Sequence, residues 1–361
     1  MYKFEDLIEE VKEFNTDLRY GLDDIVGVTI EKGLIPTIAN LTQTALDKFY
    51  IIKPETFVYN PRTHGVRLGM GYNDTCNTYI TTWNNVAFRV KDTAKNIVIP
   101  QYLWLYFCRP VWDRLTNFLA WGSSTIVFAW KDFLTIEIDL PSITRQREIV
   151  AEYETLTRRI RINEQMIQNL ESTAKTIYRK MFVDGIDKEN LPDGWRMGTL
   201  GEVATFKYGK LADKYPKSSK FPYPVFSGYA ITGYTNEYTL EERTIVIIAR
   251  GDAGTGRICM SPQRCFLSNL AIAIETKDMA IKDYLYYHLL DSDTMSLRSG
   301  SAQAQITINN IEPFEITIPS NEICIVFSQC VESLYNDIAL RTEENLKLTE
   351  LQSLLLAKMG Q

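Results

Sequence analysis

At 361 residues, 45% hydrophobic and 23% charged, the chain has the composition of a folded protein with room for two domains, which excludes wholesale disorder. Its net charge of −6 argues against a simple basic nucleic-acid binder: residues 1–140 and 183–318 each carry 14 basic and 17 acidic groups, 319–361 carry 3 and 6, and only 141–182, with 8 and 5, is net positive. Any binding to DNA therefore needs local basic loops or a partner that supplies phosphate neutralisation.

The acidic, amphipathic start MYKFEDLIEEVKEF is the opposite of a signal peptide, and no uninterrupted apolar run nears the ~20 residues of a bilayer span. ETFVYN (55–60) reads as a strand, and the turn after it carries Arg62, Thr63 and Arg67. YLWLYFCRPVWDRL (102–115) reads as a short helix and LTIEIDL (134–140) as a strand. Pro141 and Ser142 then open a long helix, with Ser142 as its expected N-cap.

In that helix Leu156, Ile160, Asn163, Ile167, Leu170, Ala174, Ile177 and Met181 alternate steps of four and three, a heptad seam with one polar residue of the kind that fixes register. GIDKENLPDGW (185–195) reads as a linker, turn-rich PYPVFSGYAITGY (222–234) follows, and TIVIIA, LAIAIE and FEITI read as strands around the helix DYLYYHLL (283–290). Pro319 and Ser320 open a second long helix, with seam positions Leu334, Ile338, Arg341, Asn345, Leu348, Gln352, Leu355 and Met359. Each helix spans about 40 residues, hence roughly 60 Å, and their opposite net charges, +3 and −3, favour pairing with each other.

The chain is written twice, with a period of about 180 residues. PSITRQREIV… (from 141) aligns without a gap on PSNEICIVFS… (from 319), and GSSTIVFAWKDFLTIEIDLP (122–141) faces GSAQAQITINNIEPFEITIP (300–319). Further upstream NNVAFRV (84–90) pairs with SNLAIAI (268–274), setting Asn85 opposite Asn269. Thr56 and Val58 pair with Thr244 and Val246, which puts Arg62 opposite Arg250. The expected architecture is α/β (α+β), with a globule at 1–140, a helix at 141–183, a second globule at 184–318 and a second helix at 319–361.

Enzymatic motifs fail at a residue the chemistry requires. GDAGTGR (251–257) has the glycine spacing of a phosphate loop, but Arg257 and Ile258 replace its Lys and Ser/Thr, so a hairpin presenting Arg250 and Arg257 is the better reading. YNPR (59–62) resembles an amino-methyltransferase site superficially, with Arg62 and Thr63 where proline and an aromatic ring belong. His64 and His288 offer no triad, and the six cysteines lack CxxC spacing, which makes structural zinc improbable and free thiols in a reducing cytoplasm the expectation. No cofactor is expected.

What remains is polar and aromatic side chains in turns. Arginine's fork matches guanine, which makes Arg62, Arg67, Arg250 and Arg257 the preferred base readers. Lys207, Lys210, Lys214 and Lys217, interleaved with Tyr208 and Tyr215, suit phosphate contacts. Thr63, Ser123, Ser227, Tyr229, Thr232, Gln303 and Gln305 complete the candidate set.

LPDGWRMGTLGEVATFKYGK (191–210) and the proline-serine-helix junction closing each half resemble the specificity subunits of type I restriction-modification systems. The resemblance implies two target-recognition domains, related pseudo-twofold, one per half of a split site in double-stranded DNA. It also implies an antiparallel coiled-coil spacer, two modification (methyltransferase) subunits, restriction subunits, a non-catalytic role in the cytoplasm and no membrane. The first half lacks the Leu-Pro-x-Gly-Trp segment and begins with YKFEDLIEEV, leaving the fold of residues 1–40 open. Two other classes stand beside this one: a coiled-coil scaffold that binds proteins without DNA specificity, and a nucleotide-dependent enzyme using GDAGTGR.

Overall fold

The structure is a computed structural model, and it describes residues 1–37, 44–63, 67–121, 126–187, 189–251, 254–299 and 305–359. His64, Ser123 and Gln303, with Gly122, Gly300 and Ser301, lie outside the described residues. The chain is a mixture of helix and strand and forms two compact units, residues 1–163 with 343–361 and residues 164–342.

In the first unit an antiparallel sheet runs in the order Ile8–Glu10, Val86–Val90, Phe57–Tyr59, Met70–Tyr72, Val26–Thr29, Gly33–Pro36. In the second the order is Ala204–Tyr208, Ala271–Thr276, Ile245–Ile248, Ile258–Met260, with a separate small sheet built on Tyr223–Phe226. One face of each main sheet is covered by helices, Pro100–Phe107, Pro110–Leu119 and Trp130–Thr135 in the first unit, Lys282–Asp291 and Ile308–Ile311 in the second.

The repeat is most legible in the hydrogen bonds. Phe128 N donates to Pro61 O at 2.9 Å, and Ile306 N to Ala249 O at 2.9 Å. Trp121 and Val127 exchange two backbone bonds, as do Ser299 and Gln305. Strand Tyr2–Lys3 sets Tyr2 opposite Ile138, and strand Arg196–Thr199 sets Gly198 opposite Ile316. A one-turn helix follows each, Phe4–Leu7 and Leu200–Val203, begun by the same contact: Lys3 N donates to Asp6 Oδ2 at 3.2 Å and Thr199 N to Glu202 Oε1 at 2.9 Å. Lys91 and Lys277 then place their ammonium groups on the carbonyls of Glu5 and Gly201. Residues 2–10 thus begin the first unit as residues 198–206 begin the core of the second, which settles how YKFEDLIEEV folds.

The structure departs from the sequence reading at several points. Val58 pairs with Ala87 and Val246 with Ala273, while Val90 meets Ile8 and Thr276 meets Ala204. Phe88 therefore corresponds to Ile274, two residues beyond the match of NNVAFRV with SNLAIAI, and Asn85 does not correspond to Asn269. Side chains on a strand repeat every two residues, so a two-residue slip leaves the apolar pattern intact and sequence cannot detect it. YLWLYFCRPVWDRL is two helices, because the residue before Pro110 is steered out of the α region and Arg109 is extended. LTIEIDL is helical through Thr135 and extended only at Glu137–Ile138, and PYPVF, read as turn, is the strand Tyr223–Phe226.

The two long helices are Ile143–Phe182, 40 residues, and Asn321–Lys358, 38 residues. The first is capped where Arg145 N donates to Ser142 Oγ at 3.3 Å. Between 154 and 181 the buried or half-buried positions are Leu156, Ile160, Asn163, Ile167, Leu170, Ala174, Ile177 and Met181, joined by Tyr178 alone. Leu334, Ile338, Leu348 and Leu355 are likewise half-buried.

Within the first unit the two helices run antiparallel, Gln352 Nε2 donating to Thr157 Oγ1 at 2.7 Å and Asn163 Nδ2 to Asn345 Oδ1 at 2.9 Å. Arg159 grips Glu344 with two nitrogens, at 2.8 and 3.1 Å. Within the second unit Tyr178 and Phe182 pack on Phe327. An 18-residue stretch of Asn321–Lys358 has a mean hydropathy of 1.2, enough by length and composition to cross a membrane, although polar residues interrupt its apolar run. Its Cys324, Phe327 and Val331 are committed to the core of the second unit.

Candidate nucleic-acid interface

In each unit the strand at the centre of the sheet runs out into a loop and returns as its neighbour. Phe57–Tyr59 leaves through residues 60–69 and returns as Met70–Tyr72, and Ile245–Ile248 leaves through 249–257 and returns as Ile258–Met260. The strands that flank GDAGTGR are therefore antiparallel neighbours, whereas a phosphate loop runs from a strand into a helix. Gly251 and Gly256 have φ of +121° and +91°, and a Cβ on Gly256 would lie 3.1 Å from the backbone of Thr294 and Met295.

Exposed arginines sit on these loops. Arg62, beside the Pro61 carbonyl that accepts from Phe128, is exposed on a short strand paired with Val127. Arg250 is exposed at the equivalent place, next to the Ala249 carbonyl bonded by Ile306, and exposed Gln305 precedes Ile306. Arg67 and Arg257 are exposed at the far ends of the two loops. In the second unit Tyr229, 56% exposed, and Arg257 line one open cleft of about 920 Å³ with Gln168 and Lys175. In the first, Arg67 lines a cleft of about 480 Å³ with Lys32, Asp113 and Arg114.

The lysine-rich segment is anchored by Gly209. A Cβ there would fall 1.9 Å from Ser268 O, so only glycine lets the chain cross over residues 267–268 and present Lys210 outward. Lys207 and Lys217 are held by Glu275 at 2.6 Å and Asp213 at 2.7 Å, exposed pairs that hold their charges only weakly. Lys210 and Lys214 are exposed, as is Thr232.

Two candidates are out of reach. Thr63 is buried, its hydroxyl 3.1 Å from Asn117 Oδ1. Ser227 is fully buried, its Oγ donating to Ala230 O at 2.9 Å and accepting from Ala230 N at 3.1 Å. The Ser227 hydroxyl shapes its own turn, a use that serine makes of its short side chain, whereas the Thr63 hydroxyl ties its strand to the side chain of Asn117. Residues that hold the loops from behind, Lys32, Asp113, Thr294 and Arg298, gave no sequence signal, because each acts on a carbonyl or amide distant in the chain.

Cys108, Cys259 and His288 are taken up by packing and hydrogen bonds. Burial pushes the thiols of Cys108 and Cys259 up to about 12, which leaves them neutral and poor nucleophiles. Cys259 Sγ donates to Gly228 O at 2.7 Å. His288 packs flat on Tyr284, its Nδ1 3.2 Å from the hydroxyls of both Tyr178 and Tyr284. Among the described residues no group of three His, Cys, Asp or Glu side chains could hold a metal ion.

Two similar α/β units each carry exposed arginines on the loop leaving the central strand. Residues 192–350 match the family model of the type I restriction modification DNA specificity domain. The first half, outside that match, repeats its hydrogen-bond register. Over 100% of this chain and 95% of the other, the fold is similar to the crystal structure of a type I restriction-modification system S subunit from M. genitalium, with TM-score 0.59 and 18% identity. Matches of lower TM-score are a chain from a study of complex assembly and conformational transition of the type I R-M system (0.49, 18% identity, 100% and 97% covered) and the HsdS subunit from Thermoanaerobacter tengcongensis (0.37, 17% identity, 99% and 95% covered). No curated protein sequence matches the chain.

Proposed function

We propose that the chain is the sequence-specificity subunit of a type I restriction-modification complex, in which each unit reads one half of a bipartite site in double-stranded DNA. The observation that carries this reading is the duplication itself: the same arginine position, Arg62 and Arg250, follows the same backbone bond in both units. Duplicated readers suit a split target, and an unrelated scaffold would have no reason to keep exposed arginines at equivalent loop positions.

Under this proposal residues 1–140 and 184–318 are target-recognition domains, and 141–183 and 319–361 form the antiparallel coiled-coil spacer. Arg62, Arg67, Arg250 and Arg257 read base edges, while Tyr229, Thr232 and Gln305 assist. Lys207, Lys210, Lys214 and Lys217 hold phosphates. The chain carries no chemistry of its own; modification subunits methylate adenine, restriction subunits translocate and cleave, and the complex works in the cytoplasm. Its acidic balance is consistent with firm DNA binding only beside more basic partners.

Genome-wide methylation mapping with and without this gene tests the proposal. Loss of one bipartite N6-methyladenine motif is the expected result, and an unchanged methylome with the partner subunits expressed would reject it in favour of a protein scaffold. Inserting one heptad into both helices, about 10 Å, should widen the unread gap by about three base pairs at 3.4 Å each. An unchanged gap would reject the spacer as a ruler.

A further inference from the structure

The hairpin tip joining Val26–Thr29 to Gly33–Pro36 contains Lys32 at φ +67°, a left-handed conformation that glycine or asparagine adopts more readily. A lysine placed there at a cost in backbone strain needs a use for its side chain. That side chain is only 7% exposed and ends between two acceptors, Asp113 Oδ1 at 2.6 Å and the carbonyl of Leu68 at 2.7 Å. The same carboxylate oxygen of Asp113 accepts from Leu68 N at 3.3 Å. The ion pair thus satisfies both backbone groups of a single residue, and that residue is the immediate neighbour of exposed Arg67.

The second unit holds its own loop in the corresponding place by different atoms. Leu68 stands two residues before the returning strand Met70–Tyr72, and Gly256 stands two before Ile258–Met260. Thr294 Oγ1 donates to Gly256 O at 2.6 Å, and Arg298 holds Thr255 O with Nε at 2.9 Å and with its second guanidinium nitrogen. Fully buried hydrophobic packing would serve stability as well as a buried ion pair does, and often better. An ion pair that ends on loop backbone in one unit, matched by a different polar clamp at the same position in the other, is explained by loop geometry.

We propose that Lys32 and Asp113 are positioning residues for recognition by the first unit, clamping Leu68 so that Arg67 is held in one reading geometry. The inference rests on the reading of the two units as half-site readers. Burial disfavours the charged form of Lys32 and moves its pKa down, while the Asp113 carboxylate opposes that shift, so the ammonium depends on this partner.

The test uses the full chain assembled with its modification subunits and DNA duplexes in which either half of the methylated site is scrambled. Asp113→Asn and Lys32→Met should each weaken discrimination at one half-site by about tenfold or more, leaving the other half-site unaltered. Lys32→Arg, which keeps the charge and the donors, should restore most of the loss. Combined with Arg67→Ala, neither substitution should cost further discrimination, because both act through that arginine. Hydrogen exchange of the Leu68 amide should speed up in Asp113→Asn while core amides stay protected.

Additive losses with Arg67→Ala, equal losses at both half-sites, or unaltered discrimination with a folded Asp113→Asn protein would each overturn the proposal. Should Asp113→Asn fail to fold, Lys32→Arg and Lys32→Met carry the same comparison. If the wild-type complex itself discriminates neither half-site, the half-site reading fails, an outcome distinct from any of these.

Discussion

The two units share a backbone and differ in what fills it. Phe4, Phe57, Phe88, Phe128 and Phe133 of the first unit occupy the places of Leu200, Ile245, Ile274, Ile306 and Ile311 in the second, and every one of these ten side chains is at most 1% exposed. At the helix base the substitution runs the other way: Ile149 and Leu356 in the first unit stand where Phe327 and Tyr178 stand in the second. At these matched positions the aromatic rings lie toward the sheet in the first unit and on the long helices in the second. A hydrogen-bond register restricts where backbone atoms go, whereas a core asks only that its total volume be filled, so the first persists through duplication and the second drifts.

The largest effect should come from emptying these positions. Phe88 stacks on Phe57 at 5.0 Å and meets Phe107 and Phe133 edge-on, so Phe88→Ala should cost about 3–5 kcal/mol. Ile274→Ala should cost about 2–5 kcal/mol, both read from denaturant unfolding. Exchange sharpens the comparison: Ile274→Phe, the first unit's residue in the second unit's core, should overpack and destabilise by about 1–3 kcal/mol. A neutral result would mean that the two cores are interchangeable, contrary to the compensation described above.

Recognition should separate the units next. Arg250→Ala should relax one half of the methylation motif by about 1–3 kcal/mol of discrimination, and Arg62→Ala the other half by a similar amount, in competition binding with the assembled complex. Loss at the same half from both substitutions would break the equivalence of the two loops. Ser142→Ala should cost about 1 kcal/mol through the lost helix cap, seen as a lower unfolding midpoint. The smallest effect belongs to Lys214→Ala, which should weaken DNA binding evenly across sequences and lower the salt slope by about one.

Much of this was readable in the letters. The heptad spacing from Leu156 to Met181 needs only the helical period, and the gapless alignment of 141–181 on 319–359 needs only comparison of the chain with itself. Arg62 and Arg250 could be matched because Thr56-x-Val58 and Thr244-x-Val246 lie close by. The alignment at residues 84–90 slipped because β periodicity cannot distinguish a register from one two residues away. The hydroxyls of Thr63 and Ser227 suit base contacts by type alone, but the first is taken by Asn117, distant in the chain, and the second by Ala230 within its own turn.

Sequence alone therefore determined that there are two units, where the long helices run, and which arginines share a position, since each of these is a local or self-comparative property. Tertiary structure decided the true strand register, the equivalence of YKFEDLIEEV with the start of the second unit, and the clamps behind the loops. Those depend on contacts such as Lys32 with Leu68 and Arg298 with Thr255, made between groups far apart in the chain, whose energies no local pattern of residues encodes.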